Sequence, residues 1–339
     1  MLAEHREEAL REFVTHRRAV LERPLERSFV VFRVGANAAR EQALLGALVG
    51  QGIEVRRASG VELSDATSAN GAHSDTLKVD GDVWLIDAHQ PQGALVTAFL
   101  EFDTRYPKAD LERERRELET KGNSKIYDST AWDFAHAFGL DAWWCKSFTA
   151  SGAASAVLSA PVARVGSVRA PLDASAHVYG WLVDGADDAS VTFAAQALEL
   201  GLAVAICDEG LESAGRAFAR GSVLVRAHEN AANAAQQVER AAQFAGVEVT
   251  ATTSARAPGE GHDLGGQHFQ LLARPRVALL SNAPVSSDSF GHLWHQLDRV
   301  LGLPVSLLDA QDLGGYDLRR YNVLVLPPGL TDSDARTLD

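Results

Sequence analysis

VDGDVWLIDAHQ (residues 79–90) and FARGSVLVRAHE (residues 218–229) carry the same design. In each, a Gly precedes an apolar alternation, and a segment of helical pattern trails it. Upstream of the first copy, SFVVFRV (28–34) reads as a buried strand. Residues 38–49 follow at helical spacing, with Asn37 placed to cap them. Gly50 to Gly52 close that helix, and 53–57 read as a second strand. Residues 75–79 and 83–87 read as a hairpin, because Asp80-Gly81 suits a tight turn. Pro91 suits the first turn of a helix reaching about Phe102. The second copy repeats the order: strand 178–183, helix 189–200, strand 203–207, hairpin 216–218 and 222–226 about a turn at 219–221, helix 231–244. The expectation is an internal duplication of a β-α-β unit plus hairpin and helix, with strand–helix–strand units of the kind that build parallel sheets. Strand 28–34 should then match 178–183, and 83–87 should match 222–226.

Other stretches separate and flank these copies. The first 22 residues set apolar side chains among charges at helical spacing, and Pro24 ends them. Residues 103–121 are strongly charged and read as a solvated helix or loop. Residues 127–139 have helical spacing at Trp132, Phe134, Ala135 and Phe138, before a strand-like run at 140–145. Residues 147–159, rich in Ser, Ala and Gly, and 256–267, dense in Gly, read as linkers. After the second linker, RVALLS (276–281), a helix at 289–301, a strand at 304–308 and YNVLVL (321–326) form the first half of a doubly wound, flavodoxin-like parallel sheet. The chain stops at Asp339 before such a sheet is complete, so it is expected to be cut from something longer. The fold class is therefore α/β. The expected divisions are an N-terminal helix (1–27), a first α/β unit (28–146), a linker (147–172), a second α/β unit repeating the first (173–255), a linker (256–273) and an incomplete third unit (274–339).

Composition bounds the partners. Of 339 residues, 46% are hydrophobic and 23% charged, which is ordinary for globular domains and too long for a single core. A net charge of −13, from 32 basic and 45 acidic residues, argues against nucleic acid or an anionic membrane as a partner. No apolar run approaches the ~20 residues that span a bilayer. Cys145 and Cys207 follow strand-like stretches and read as buried free thiols.

The layout resembles the long bacterial zinc carboxypeptidases of the carboxypeptidase A class, in the region downstream of their peptidase domain. DGDVWLIDAHQP (80–91), YDSTAWDFAHAFGLDAW (127–143), GRAFARGSVLVRA (215–227), RPRVALLSNAPVSSDSFGHLWHQLDRVLGLPVSLLD (274–309) and YDLRRYNVLVLPPG (316–329) carry it. The resemblance thins over 103–121 and 147–172. It implies that 274–339 opens a glutamine-amidotransferase-like unit. It also implies a parent that removes C-terminal residues from peptides, a peptidase domain of the same protein as partner, zinc in that domain, and an exported parent. The localisation of this chain stays open, since it carries no signal.

The family's chemistry is not complete in these residues. A zinc peptidase of this kind needs H-x-x-E, a distant third His, an Arg for the substrate carboxylate and a general-base Glu. His5-Arg-Glu-Glu8 fits H-x-x-E literally, but lies on a charged helix with no third ligand in context. His5 and Glu8 are therefore rejected as metal ligands. No catalytic residue and no cofactor is assigned to the chain. His292 and His295 share a helix face without a carboxylate or Cys at ligand spacing and read as packed or half-exposed. The third unit has no Cys for an amidotransferase elbow, and Asp208 and Glu209 make Cys207 a poor nucleophile. Trp143-Trp144 and Tyr179-Gly180-Trp181 read as core. No phosphate-binding Gly motif is present.

One loop remains as a candidate ligand site: Ser281, Asn282, Ser286, Ser287, Asp288 and Ser289, between a strand and a helix N-terminus. Free amides and the helix dipole favour anions there, and strand ends of doubly wound sheets are where ligands usually bind. The ordinary alternative is a helix N-cap by Ser287, Asp288 or Ser289. Three functions compete: an accessory, non-catalytic region of a zinc carboxypeptidase, a free-standing α/β module binding a small ligand or a protein, or an independent hydrolase whose site the sequence does not reveal. The uncovered face of the third unit should dock on its neighbours or drive self-association.

Overall fold

The computed structural model describes residues 5–102, 106–122, 133–152, 154–158, 160, 164–171, 177–257 and 261–329. The protein is mixed α/β with several sheets and divides into two compact units, Met1–Val162 and Ala163–Asp339. Among the described residues no helix is long and apolar enough to cross a membrane.

The first unit runs α1 (Arg6–Glu22), β1 (Phe29–Arg33), α2 (Ala38–Gly50), β2 (Arg56–Ser68), β3 (His73–Asp87), α3 (Gly93–Leu100), α4 (Lys108–Lys121), α5 (Phe134–Ala137), β4 (Ala142–Cys145) and β5 (Ser147–Ala150). Its centre is β1, antiparallel to β3 through Val30↔Ile86 and to β4 through Val30↔Trp144. Asn37 caps α2 by accepting from the Arg40 amide at 3.1 Å. Leu44, Leu45 and Leu48 of α2 are buried against Val30 and Phe32, each such side chain contributing about 1.5–3 kcal/mol. α4 buries nothing, as its charge run implies. The stretch 127–132, including Trp132, lies outside the described residues, and α5 takes up its remainder.

Several expectations are corrected here. β1 and β2 do not pair: β3 lies between them, so the strand–helix–strand unit belongs to an antiparallel sheet with the strand order β2-β3-β1-β4. This is the split β-α-β arrangement, in which a returning strand fills the gap left by the crossover. Asp80-Gly81 is not a hairpin turn. β3 runs straight through it, and the chain reverses instead at Asn70-Gly71, where Ser68 Oγ and the Asn70 side chain meet the Ala72 amide. Gly60 and Gly81, both at positive φ, flank a register slip between Ser59 and Val61, which makes Asp80-Gly81 part of a bulge. The bulge bends the long hairpin so that its tip returns to β4 through Thr67↔Trp144. β1, β3, β2 and β4 thereby close into a ring around Val31, Val61, Leu63, Val79, Leu85 and Cys145. The expected strand at 53–57 starts only at Arg56, because Ile53 and Val55 serve the helix-side core instead. The expected linker after 147 opens with β5, which pairs along Val61–Ser64 while Phe148 meets Phe29 edge-on at 5.1 Å.

The second unit runs β6 (Ser167–Arg169), β7 (Gly180–Val183), α6 (Ala189–Glu199), β8 (Ala205–Cys207), β9 (Leu211–Ser213), β10 (Arg216–Phe218), β11 (Val223–Arg226), α7 (Ala234–Ala245), β12 (Glu248–Thr252), β13 (Phe269–Leu271), β14 (Val277–Ser281), α8 (Ser287–Trp294), β15 (Val305–Asp309) and β16 (Val323–Val325). Four of these strands take the order β8-β11-β7-β12, the same as β2-β3-β1-β4. The register corresponds too. Trp181 pairs with Val225 and Ala251 where Val30 pairs with Ile86 and Trp144. The strands expected to match, 28–34 with 178–183 and 83–87 with 222–226, share positions in that four-strand order, but the first sheet closes through β2–β4 pairing and the second continues to β6 and β13. β10 does not pair with β11 as expected. It forms its own hairpin with β9 about Ala214-Gly215, because β11 has both edges taken by β7 and β8. β6 and β13, drawn from stretches read as linkers, extend the sheet at its two edges.

The parallel strands expected in the last segment are present, in the order β15-β14-β16. β14 is buried, but Leu307 on β15 and Val323 on β16 are 49% and 40% exposed. The helix is shorter than its apolar pattern, and after Trp294 it continues as a π turn over His295–Val300. The segment is fastened within its unit: Gln196 Nε2 of α6 donates to the Leu301 and Gly302 carbonyls at 2.7 and 3.2 Å. Gly302 has φ +65°, and a Cβ there would stand 2.4 Å from Gln196 Nε2, so this contact requires glycine.

Candidate functional site

The loop after β14 is built from short-range polar contacts. Ser281 Oγ donates to the Leu308 carbonyl at 3.1 Å. Asn282, at φ +64°, turns its amide to donate to Asp309 Oδ2 at 2.7 Å. Ser286 caps α8 by accepting from the Ser289 amide, so the cap falls one residue before the three anticipated. The Ser286 amide donates to the Pro328 carbonyl at 2.9 Å. A Cβ on Gly329 would stand 2.4 Å from the Pro284 carbonyl. The loops following β14 and β16 therefore press on each other where a doubly wound sheet ordinarily opens its crevice. Asp288 sits in the first turn of α8 and Asp309 beside Asn282. Both bring negative charge to the amides that would attract an anion.

Asp309 is held below its ordinary carboxyl pKa of 3.8, first by the Gln311 amide at 2.9 Å and then by Asn282. A depressed folded-state pKa gives stability that is complete above the unfolded value and is lost as pH falls through the folded one. The melting temperature should therefore fall as pH drops from about 4 downwards. Asp309→Asn should fall less between pH 7 and pH 3 than the parent, with Asp82, depressed first by the Ser59 hydrogen bond and then by Arg57, and Asp317, depressed first by Arg319, retaining their share. Equal losses in both proteins would show that the Asn282–Asp309 tie does not couple to folding.

The remaining candidates fall in ordinary surroundings. His5 and Glu8 lie 3.4 Å apart on exposed α1, side chains 67% and 71% accessible. His292 and His295 are exposed. Cys145 and Cys207 are free and buried. Burial, and secondarily Asp65, pushes the Cys145 thiol up to about 12. Burial first, with Asp208 and Glu209 behind it, raises Cys207 against a lowering contact from the Glu209 backbone. Trp144 and Trp181 are core residues, and Trp144 donates to the Leu100 carbonyl at 2.6 Å.

A group of side chains that the linear pattern did not single out gathers where β8 meets β13. Glu209, His262 and His268 offer ligand-type atoms all within 4.8 Å of one another. His262 Nε2 is 2.7 Å from Glu209 Oε2, and His268 Nδ1 is 2.9 Å from Asp208 Oδ1. Ring centroids of the two histidines are 4.0 Å apart. Strand pairing brings them together: Phe269 stands opposite Cys207, and the Asp208 amide donates to the His268 carbonyl at 3.0 Å. Between the histidines, buried Leu264 is pinned by Arg226, which donates to its carbonyl from Nε at 2.9 Å and Nη2 at 2.7 Å. In the sequence His262 lies in the Gly-dense stretch 256–267, which reads only as a linker.

In comparisons with family models, curated proteins and solved structures, nothing matches this chain.

Proposed function

We propose that the chain is an accessory, non-catalytic region of a zinc-carboxypeptidase-type protein, holding or shaping access to a peptidase domain of the same protein. One observation carries the reading: the frame β2-β3-β1-β4 recurs as β8-β11-β7-β12 with corresponding registers, and its strands β3, β4 and β11 overlap the segments that carry the resemblance. A small frame used twice, diverged in its hairpins and followed by a parallel strand trio, suits a duplicated scaffold. In this reading 274–339 opens a flavodoxin-like, amidotransferase-like unit, the parent uses zinc in the peptidase domain, and the parent is exported. The test is to sequence the gene upstream of residue 1 and to assay what it encodes. A peptidase domain with H-x-x-E, stabilised against heat by addition of the purified chain, supports the proposal. An upstream region without one, or release of C-terminal residues from peptides by the isolated chain, overturns it.

A second reading, a free-standing binding module, is favoured by one feature. The first unit has an open cleft of about 810 Å³. Its lining includes Arg23 and Arg27, Ser68 and Asn70 at the hairpin turn, Glu101 and Trp144.

A further inference from the structure

We propose that Glu209, His262 and His268 form a binding site for one divalent first-row transition ion of the zinc class, with Asp208 as the positioning group. Two imidazoles and a carboxylate are borderline donors: they suit zinc, cobalt or nickel and not calcium or magnesium, which take oxygen. Bonds of about 2.0–2.2 Å place tetrahedral donors about 3.3–3.6 Å apart. The present atoms, within 4.8 Å of each other and as close as 2.7 Å, need only small side-chain rotations to reach that spacing.

Three further observations favour an ion over a chance cluster. Asp208 accepts the Nδ1 proton of His268, which fixes the tautomer and leaves Nε2 as the ligating nitrogen. The second carboxylate, Glu209, lies 2.7 Å from His262 Nε2, and the His268 ring stands beside that imidazole with centroids 4.0 Å apart. Both histidines sit on backbone that is fixed by other means. His268 is held by the β8–β13 pairing. The segment next to His262 is held by Asp263, which accepts from the Ala257 amide at 2.9 Å, and by buried Leu264. Three protein ligands leave a further coordination position to solvent. The ion would clip the end of β8 to the loop before β13, a link between segments distant in sequence. The site is separate from the family's H-x-x-E pattern, which here corresponds only to His5 and Glu8, and it does not depend on the proposed function.

The test uses the full chain, free of any histidine tag and treated with chelator. Isothermal titration with zinc chloride should give one site per chain, and zinc should raise the melting temperature. Asp208→Asn should bind about 10- to 100-fold more weakly. Glu209→Gln and the His262→Ala/His268→Ala pair should bind more weakly still, with the ligands removed. His292→Ala should leave the titration unchanged. Circular dichroism without zinc shows whether each variant keeps its fold. If the double variant does not, Glu209→Gln at an exposed position gives the reading. No binding at micromolar zinc by the parent, or equal binding by parent and Glu209→Gln, overturns the proposal.

Discussion

Phe193→Ala should lower the unfolding free energy of the second unit by about 3–5 kcal/mol. Phe193 has no solvent exposure and is among the largest fully buried side chains. It belongs to the inner face of α6, where Ala194, Ala195, Ala197 and Leu198 are also buried. Removing a fully buried phenyl ring from a close-packed interior leaves a cavity that the surroundings fill only in part. The cavity term therefore adds to the lost transfer energy instead of being relieved by collapse. Val191 is the control: it lies on the same helix but is 58% exposed, so Val191→Ala should stay within about 0.5 kcal/mol. Urea titration followed by circular dichroism measures both. A loss below 1 kcal/mol for Phe193→Ala would mean that this face of α6 is not buried in solution.

The second large effect is expected at Arg226. Its side chain is buried at the end of β11 and forms three kinds of contact at once. Nε and Nη2 donate to the Leu264 carbonyl, Nη1 donates to both Glu229 oxygens at 2.9 and 3.2 Å, and the guanidinium lies 5.6 Å from the Phe269 ring centroid. Arg226→Ala leaves a buried carbonyl without a donor and a carboxylate without its partner. The expected cost is about 2–4 kcal/mol, above that of an ordinary hydrogen bond because the donor is charged. Arg226→Lys should recover only part of it, since an ammonium cannot reproduce the fork on one carbonyl while reaching Glu229. Hydrogen exchange of the Leu264 amide, which donates to Ala255 at 2.8 Å, reports the loop directly. Unchanged protection in Arg226→Ala would show that the loop is anchored by something else.

The regular parts of the fold are legible because each has a local cause. The apolar runs at 28–34, 178–183 and 276–281 become central strands, and Asn37 caps α2. What failed is what depends on distant partners. Asp80-Gly81 has the chemistry of a turn, but a strand of fifteen residues opposite thirteen outcompetes it and leaves Gly81 as half of a bulge. Ser222 to Arg226 could not be told from a hairpin arm, since only β7 and β8 on either side settle its pairing. The same limit hid the histidine cluster. Glu209, His262 and His268 have no ligand spacing along the chain, and only the β8–β13 register makes them neighbours. The candidate loop at 281–289 was found as a strand-to-helix connection. Its closure against Pro328 could not be read, because that contact comes from the loop after another strand.

Each four-strand frame begins with its own central strand. Val30 waits for Ile86 on one side and Trp144 on the other, and Leu182 for Leu224 and Thr250. A ribosome delivers about 5–20 residues per second, so roughly ten seconds separate the emergence of β1 from that of its last partner. During that interval Val30, Val31 and Phe32 have left the exit tunnel with no sheet to enter. The nascent chain thus offers an unpaired apolar strand to holding chaperones when β1 emerges, and offers a second one when β7 appears.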